Sequence, residues 1–221
     1  MSLSIEQIIA DNLLQIKAIK LEPTNPFTWA SGWKSPIYCD NRKILSYPAI
    51  RRTVCLAFVE KIRALYPNVE IIAGVATGAI AIGMLVAEEM GLPFIYVRPE
   101  AKKHGLANCI EGVYKAGQNI VVIEDLISTG GSSIKAIEAL RTAECNVLGM
   151  LAIFTYGFDV SVQNFAAINC EIQTLSNYNA LINQAVEKNY VTAEHVAQLQ
   201  EWRKNPAEWG EASPNPSKGG E

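Results

Sequence analysis

The stretch Val121-Val122-Ile123-Glu124-Asp125-Leu126-Ile127-Ser128-Thr129-Gly130-Gly131-Ser132-Ser133 decides how the rest of the chain is read. An apolar, β-branched strand ends in two adjacent carboxylates, and a turn of small and hydroxylated residues then opens a helix. Backbone N–H groups at such a turn, the positive end of the helix and the hydroxyls of Ser128, Thr129 and Ser132 make a nest for a phosphate monoester. The acids would repel that phosphate, so they need another duty. Glu124 and Asp125 can accept hydrogen bonds from ribose hydroxyls and stabilise positive charge at an anomeric carbon. The spacing is neither a Walker G-x-x-x-x-G-K-[ST] loop nor a G-x-G-x-x-G dinucleotide turn. The plainer alternative is a polar strand-to-helix turn with solvated carboxylates.

Around this stretch the chain alternates. Short β-branched runs at Ile71–Val75, Phe94–Val97, Ile120–Ile123, Val147–Phe154 and Ile168–Thr174 are interleaved with helix-like segments at Ala79–Met90, Ser132–Thr142 and Tyr178–Lys188. That grammar predicts βαβ units around a parallel sheet, with ligands beyond the carboxyl ends of the strands. Three segments should therefore converge: Ala76–Ala79, Arg98–Gly112 and Glu124–Ser133. Thr77 and Gly78 can bind pyrophosphate through backbone amides, or can be an ordinary tight turn. Arg98, Lys102, Lys103 and His104 concentrate positive charge directly after a strand. A loop of that kind can fold over pyrophosphate and neutralise charge growing on a leaving group. Read alone, it is a solvated basic loop.

Upstream, Ile5, Ile8, Ile9, Leu13, Ile16 and Ile19 follow helical spacing, with Ser4 and Gln7 as a capping box. From Leu21 to Ser46 the periodicity is lost, and Phe27, Trp29, Trp33 and Tyr38 sit on an irregular segment. It either closes over a pocket or is a loop anchored by its rings. A helix follows Pro48 to Tyr66, and another covers Ala193–Arg203. In that last helix His195 is read as structural, and Trp202 and Trp209 as packing anchors. The expected organisation is one domain over 1–209, with an N-terminal helix and hood at 1–46 and an α/β core with C-terminal helices at 47–209. Residues 210–221 read as a flexible tail.

Composition excludes several classes. The 221 residues are 49% apolar and 19% charged, which suits a globular core, and 19 basic against 22 acidic residues leave a net charge of −3, no field for a nucleic acid. No apolar run reaches the length of a membrane span, and 1–20 lack the pattern of a signal peptide. Five scattered cysteines with no C-x-x-C pair argue for reduced thiols in a cytoplasmic setting and against a clustered zinc site.

The strand, acid pair and Ser/Thr/Gly turn resemble the phosphoribosyl pyrophosphate (PRPP) signature of type I phosphoribosyltransferases. Phe27-Thr28-Trp29-Ala30-Ser31-Gly32-Trp33-Lys34-Ser35-Pro36-Ile37-Tyr38 and the Arg98–Gly105 loop resemble the orotate-using branch of that family. The likeness runs from about Ile5 to Trp209. It implies a parallel-sheet α/β core with a small N-terminal hood, and transfer of ribose 5-phosphate from PRPP to orotate N1. It implies that Arg98, Lys102, Lys103 and His104 contact the diphosphate, with Lys102, His104 and Asp125 catalytic. Glu124, Asp125, Leu126, Ile127, Ser128, Thr129, Gly130, Gly131 and Ser132 would hold the ribose 5-phosphate, with Thr77 also on PRPP. Ser128, Ile37 and Tyr38 would face orotate. Magnesium is expected on the diphosphate, its ligands drawn mostly from the substrate. A homodimer whose basic loop serves the neighbouring subunit is expected too. The alternatives are a relative acting on another base and a PRPP-sensing regulator without catalysis.

Overall fold

Helix α1 (Ile5–Gln15) opens on the expected capping box: Gln7 N donates to Ser4 Oγ at 3.3 Å, and Ser4 N donates to Gln7 Oε1 at 2.9 Å. The molecule is described by a computed structural model, over residues 3–29, 32–99 and 109–209. The helix does not run on to Ile19. Lys17 takes a left-handed φ of 53°, and Ala18 N donates back to Leu13 O at 2.9 Å, which closes the helix end. Ile19 instead begins strand β1 (Ile19–Leu21).

The hood that follows is more ordered than its lost periodicity suggests. It holds β2 (Phe27–Thr28), β3 (Lys34–Ser35), β4 (Ile37–Cys39) and a 3₁₀ helix over Asn41–Ser46. β1 pairs antiparallel with β4, and β2 with β3. Strands of two or three residues are too short to show a period-two pattern, so the sequence shows only punctuation there.

Helix α2 (Pro48–Leu65), with proline in its first turn, leads into the α/β core. The core comprises β5 (Ile71–Val75), α3 (Ile80–Met90), β6 (Phe94–Val97), β7 (Ile110–Glu111), β8 (Asn119–Ile127), α4 (Gly131–Thr142), β9 (Asn146–Thr155), α5 (Asp159–Ala167), β10 (Ile172–Asn177), α6 (Tyr178–Glu187) and α7 (Ala193–Lys204). Among the described residues these strands form a six-stranded sheet in the order β10-β9-β8-β5-β6-β7, parallel except for β7. Both faces are covered. Val121 and Ile123 of β8 join the core shared with α1, α2, α3, α6 and α7, while Ile120 and Val122 join the one beneath α4 and α5.

Two expected strand bounds need correction, and one helix carries no signal in the sequence. β8 does not stop at Ile123 but continues to Ile127, so the acid pair lies within the strand, held there by β9 through Glu124↔Ala152 and Leu126↔Phe154. The strand expected at Ile168–Thr174 lies at Ile172–Asn177. Ile168 instead caps α5, and Asn169 turns left-handed (φ 48°) before the strand. The alternation Ile168, Cys170, Ile172 imitates a strand while spanning a helix end. Helix α5 itself was not expected, because it buries only Ser161 and Phe165 and leaves Val160 and Val162 exposed, so no apolar stripe marks it.

Candidate active site

From β5 the chain moves one way across the sheet to β6, while β8 flanks β5 on its other side, so the strand order reverses between β5 and β8. Such a switch point is where open α/β sheets form a ligand crevice, beyond the carboxyl ends of the two strands. On the β5 side the chain turns through Ala76, Thr77 and Gly78, with a cis peptide between Ala76 and Thr77. Thr77 is exposed. Gly78 lies directly against the Asp125 carboxylate, and a methyl group built there would overlap it. Glycine is required by that close approach.

On the β8 side the two acids differ in setting. Glu124 is 4% exposed; its Oε2 accepts from Ser133 Oγ at 2.8 Å and its Oε1 from Asp125 N at 3.0 Å. Burial, then the charge of Asp125 and a hydrogen bond to it, push the Glu124 carboxyl well above its ordinary value. Asp125 is half-buried and also raised, by burial, against hydrogen bonds from Glu124 and backbone amides and the charge of Arg42. The two carboxyls titrate as a pair, both held above their ordinary values by burial.

Past Ile127 the chain becomes a donor surface. Ser128 and Thr129 are half-buried, and Gly130 adopts φ 86°, where a side chain would also strike Phe165. No side chain caps α4, so its first N–H groups face outward, with Gly131 and Ser132 exposed. The turn is braced from behind: Asn164 Nδ2 donates to Thr129 O at 3.1 Å, and Thr155 Oγ1 donates to Ile127 O at 3.2 Å. A rigid, uncapped helix start beside an acid pair suits a phosphate attached to a sugar.

The hood supplies the flank. Tyr38 is 40% exposed and its ring lies 5.6 Å from that of Phe27. The side chain of Ile37 is fully buried, and what it offers is its carbonyl, which accepts from Trp29 Nε1 and Ser35 Oγ. Trp29 packs against Tyr156 and Trp202, which makes this ring an anchor for the hood. Two residues that sequence reasoning passed over enter here. Arg42, held by Asp40 at 2.6 Å, has its pKa raised by that contact first and more weakly by Asp125 and Tyr38. Asn41, 1% exposed, donates from Nδ2 to Asp125 O at 2.6 Å. A lone asparagine in Cys39-Asp40-Asn41-Arg42 carries no signal of such a contact.

Arg98 follows β6 directly; its N donates to Cys109 O at 2.8 Å, and its Nε lies 3.2 Å from Glu111 Oε1 on β7. Lys102, Lys103 and His104, like Ala30 and Ser31, lie outside the described residues. The structure thus brings together Thr77, Gly78, Glu124, Asp125 and the 128–132 turn, with Tyr38 and Arg42 on the hood side. His195 accepts from Thr192 N at 3.5 Å as part of the α7 capping box, a structural role. Among the described residues no three His, Cys, Asp or Glu side chains gather as a metal cage, and no helix is long and apolar enough to cross a membrane.

Residues 42–182 match the family model described as phosphoribosyl transferase domain. The chain is 55% identical over 204 residues to the orotate phosphoribosyltransferase of Porphyromonas gingivalis, covering 92% of this chain and 97% of that protein. Among solved structures, it is similar to orotate phosphoribosyltransferase from Aeropyrum pernix (TM-score 0.72, 25% identity, 83% of this chain and 99% of that one). It is also similar to Leishmania donovani UMP synthase (TM-score 0.77, 29% identity), covering 90% of this chain and 42% of that chain.

Proposed function

The chain belongs to the orotate phosphoribosyltransferase family, with the type I phosphoribosyltransferase fold, and from that premise we infer that it transfers the 5-phosphoribosyl group of PRPP to N1 of orotate. The observation that carries this reading is the junction of Gly78, Asp125 and the uncapped start of α4. As the bond from the anomeric carbon to diphosphate lengthens, positive charge develops on the ribosyl ring and negative charge on the leaving group. The Asp125 carboxylate, the less enclosed of the two acids, faces the former and lowers the energy of an oxocarbenium-like state more than that of bound PRPP. Backbone amides and hydroxyls of 128–132 hold the 5-phosphate, and the Thr77–Gly78 turn takes the diphosphate. Tyr38 and Ser128 flank the base. Orotate N1 then forms the new bond to the anomeric carbon as its N–H proton passes to water or to the departing diphosphate, and the products are orotidine 5′-phosphate and pyrophosphate, a step of pyrimidine nucleotide synthesis.

We assign the remaining charge to Arg98, Lys102, Lys103 and His104, with Lys102 and His104 acting as the diphosphate departs. Magnesium fits the donor set: Asp125 offers one carboxylate and PRPP the other oxygens, and the bound ion would share the diphosphate charge. The free cysteines suit a cytoplasmic enzyme.

With PRPP and magnesium, orotate absorbance should fall while adenine, guanine and hypoxanthine are left unchanged; hypoxanthine turnover comparable with that of orotate rejects this base assignment. The loop acts in trans within a homodimer. Lys102→Ala and Asp125→Asn homodimers should each be weak, and their random mixing should restore roughly a quarter of wild-type sites, because about half the dimers then hold one intact site. No recovery after proven subunit exchange rejects the shared site.

A further inference from the structure

β8 loses a neighbour just where the chemistry begins. β5 pairs with it only as far as Gly74↔Ile123, so from Glu124 onward the ladder continues on the β9 side alone. A strand edge inside a protein must satisfy its backbone groups some other way. At Asp125 the hood does this: Asn41 Nδ2 donates to the Asp125 carbonyl at 2.6 Å, across 84 residues of sequence. The other end of the same amide is also engaged, since Asn41 Oδ1 accepts from Cys39 Sγ at 3.3 Å.

We propose that Asn41 is a positioning residue for Asp125: its side-chain amide replaces the missing strand partner and fixes the backbone from which the ribose-facing carboxylate projects. The inference rests on the function proposed above. Asn41 is enclosed and acts through Asp125 rather than on substrate. Only an amide suits the place, because an ionised aspartate has no proton to donate and alanine cannot reach.

The hood does not depend on this bond for its docking. Ile37 and Ile44 are buried in the core shared with α2 and α3, and Trp29 packs against Tyr156 and Trp202. Loss of the amide should therefore leave a folded protein whose acid is slightly misplaced, and a shift near 1 Å in a reacting group lowers turnover far more than it lowers binding.

The test is a cycle with Asp125. Asn41→Ala, and the isosteric Asn41→Asp should the first fail to fold, are expected to lower kcat about tenfold or more while the KM values for PRPP and orotate change less than about threefold. On an Asp125→Asn background the same change should cost almost nothing further, because the residue acts through the group already removed. Losses that add in the double variant, or a KM that rises as kcat falls, overturn the proposal. A second readout needs no turnover. In the wild-type protein the side-chain NH₂ signal that vanishes in Asn41→Asp should be protected from exchange with water. An unprotected signal removes the contact, and with it the proposal, whether or not orotate is consumed. Protected protons in a protein that consumes no orotate would reject the base assignment and leave the contact standing.

Discussion

The crevice and the packing beside it are built on opposite terms. Along 124–132 the chain gathers polar groups at the edge of the core: an acid pair raised by burial, an uncapped helix start, and a glycine against a carboxylate. A short distance away, Trp29, Tyr156, Phe158, Tyr178 and Trp202 form a closed set of rings with centroids 5.3 to 5.7 Å apart, and Trp202 is fully buried. Arg203 ties this cluster to the chain after β9, donating to Tyr156 O at 2.9 Å and Gly157 O at 3.1 Å. The crevice leaves the first N–H groups of α4 uncapped, whereas the ring cluster is saturated with packing contacts even though Trp202 Nε1 is buried there without a hydrogen-bond partner among the described residues. If that division is real, substitutions on the two sides should fail differently.

The largest effect is expected on the saturated side. Trp202→Ala opens a cavity at the centre of the ring cluster and should cost about 3–5 kcal/mol of stability, with kcat per folded molecule changed little. Denaturant unfolding checks the first part and active-site titration the second; a variant of normal stability and poor kcat would break the division.

Next comes Gly78→Ala. Its methyl group and the Asp125 carboxylate cannot occupy the same space. Displacing either should reduce kcat/KM for PRPP by roughly a hundredfold while the melting temperature moves only slightly. A variant with wild-type kcat/KM would show that the turn yields freely.

A smaller loss is expected from Asp125→Asn: on the role proposed above, in which the carboxylate faces charge that exists only in the transition state, kcat should fall about tenfold or more with less change in PRPP affinity. An unchanged kcat in the folded variant would reduce Asp125 to a solvated carboxylate.

The smallest change has the opposite sign. Because the folded Glu124 carboxyl titrates well above 4.5, its unfolded counterpart ionises first, and stability is lost as pH rises from there toward the folded value. Glu124→Gln removes that loss. Its melting temperature should exceed the wild type's at neutral pH, and the gap should close as pH falls toward about 4.5. A gap that does not vary with pH would mean that burial of Glu124 carries no electrostatic penalty.

The division also governs what could be read from residues alone. The sheet strands Ile71–Val75 and Phe94–Val97 are legible to the residue because each is a short apolar run closed by punctuation. Helix α5 is not, since two buried side chains in nine residues leave no stripe. The 124–133 site is legible for a related reason. A phosphate nest is made of consecutive backbone amides, so its residues must be neighbours in sequence.

By itself, then, the sequence determined the parallel α/β core, the order of its main elements and the acid–turn–helix motif, all of which depend on local spacing. Tertiary structure alone decided that the acids remain in a strand, that Gly78 backs onto Asp125, and that Ile37 is buried while Tyr38 is open. It also decided that Asn41 closes the edge of β8 from 84 residues away. The physical reason is that desolvation, close approach and the completion of a broken hydrogen-bond ladder depend on which distant segments share space, and that is settled only when the core packs.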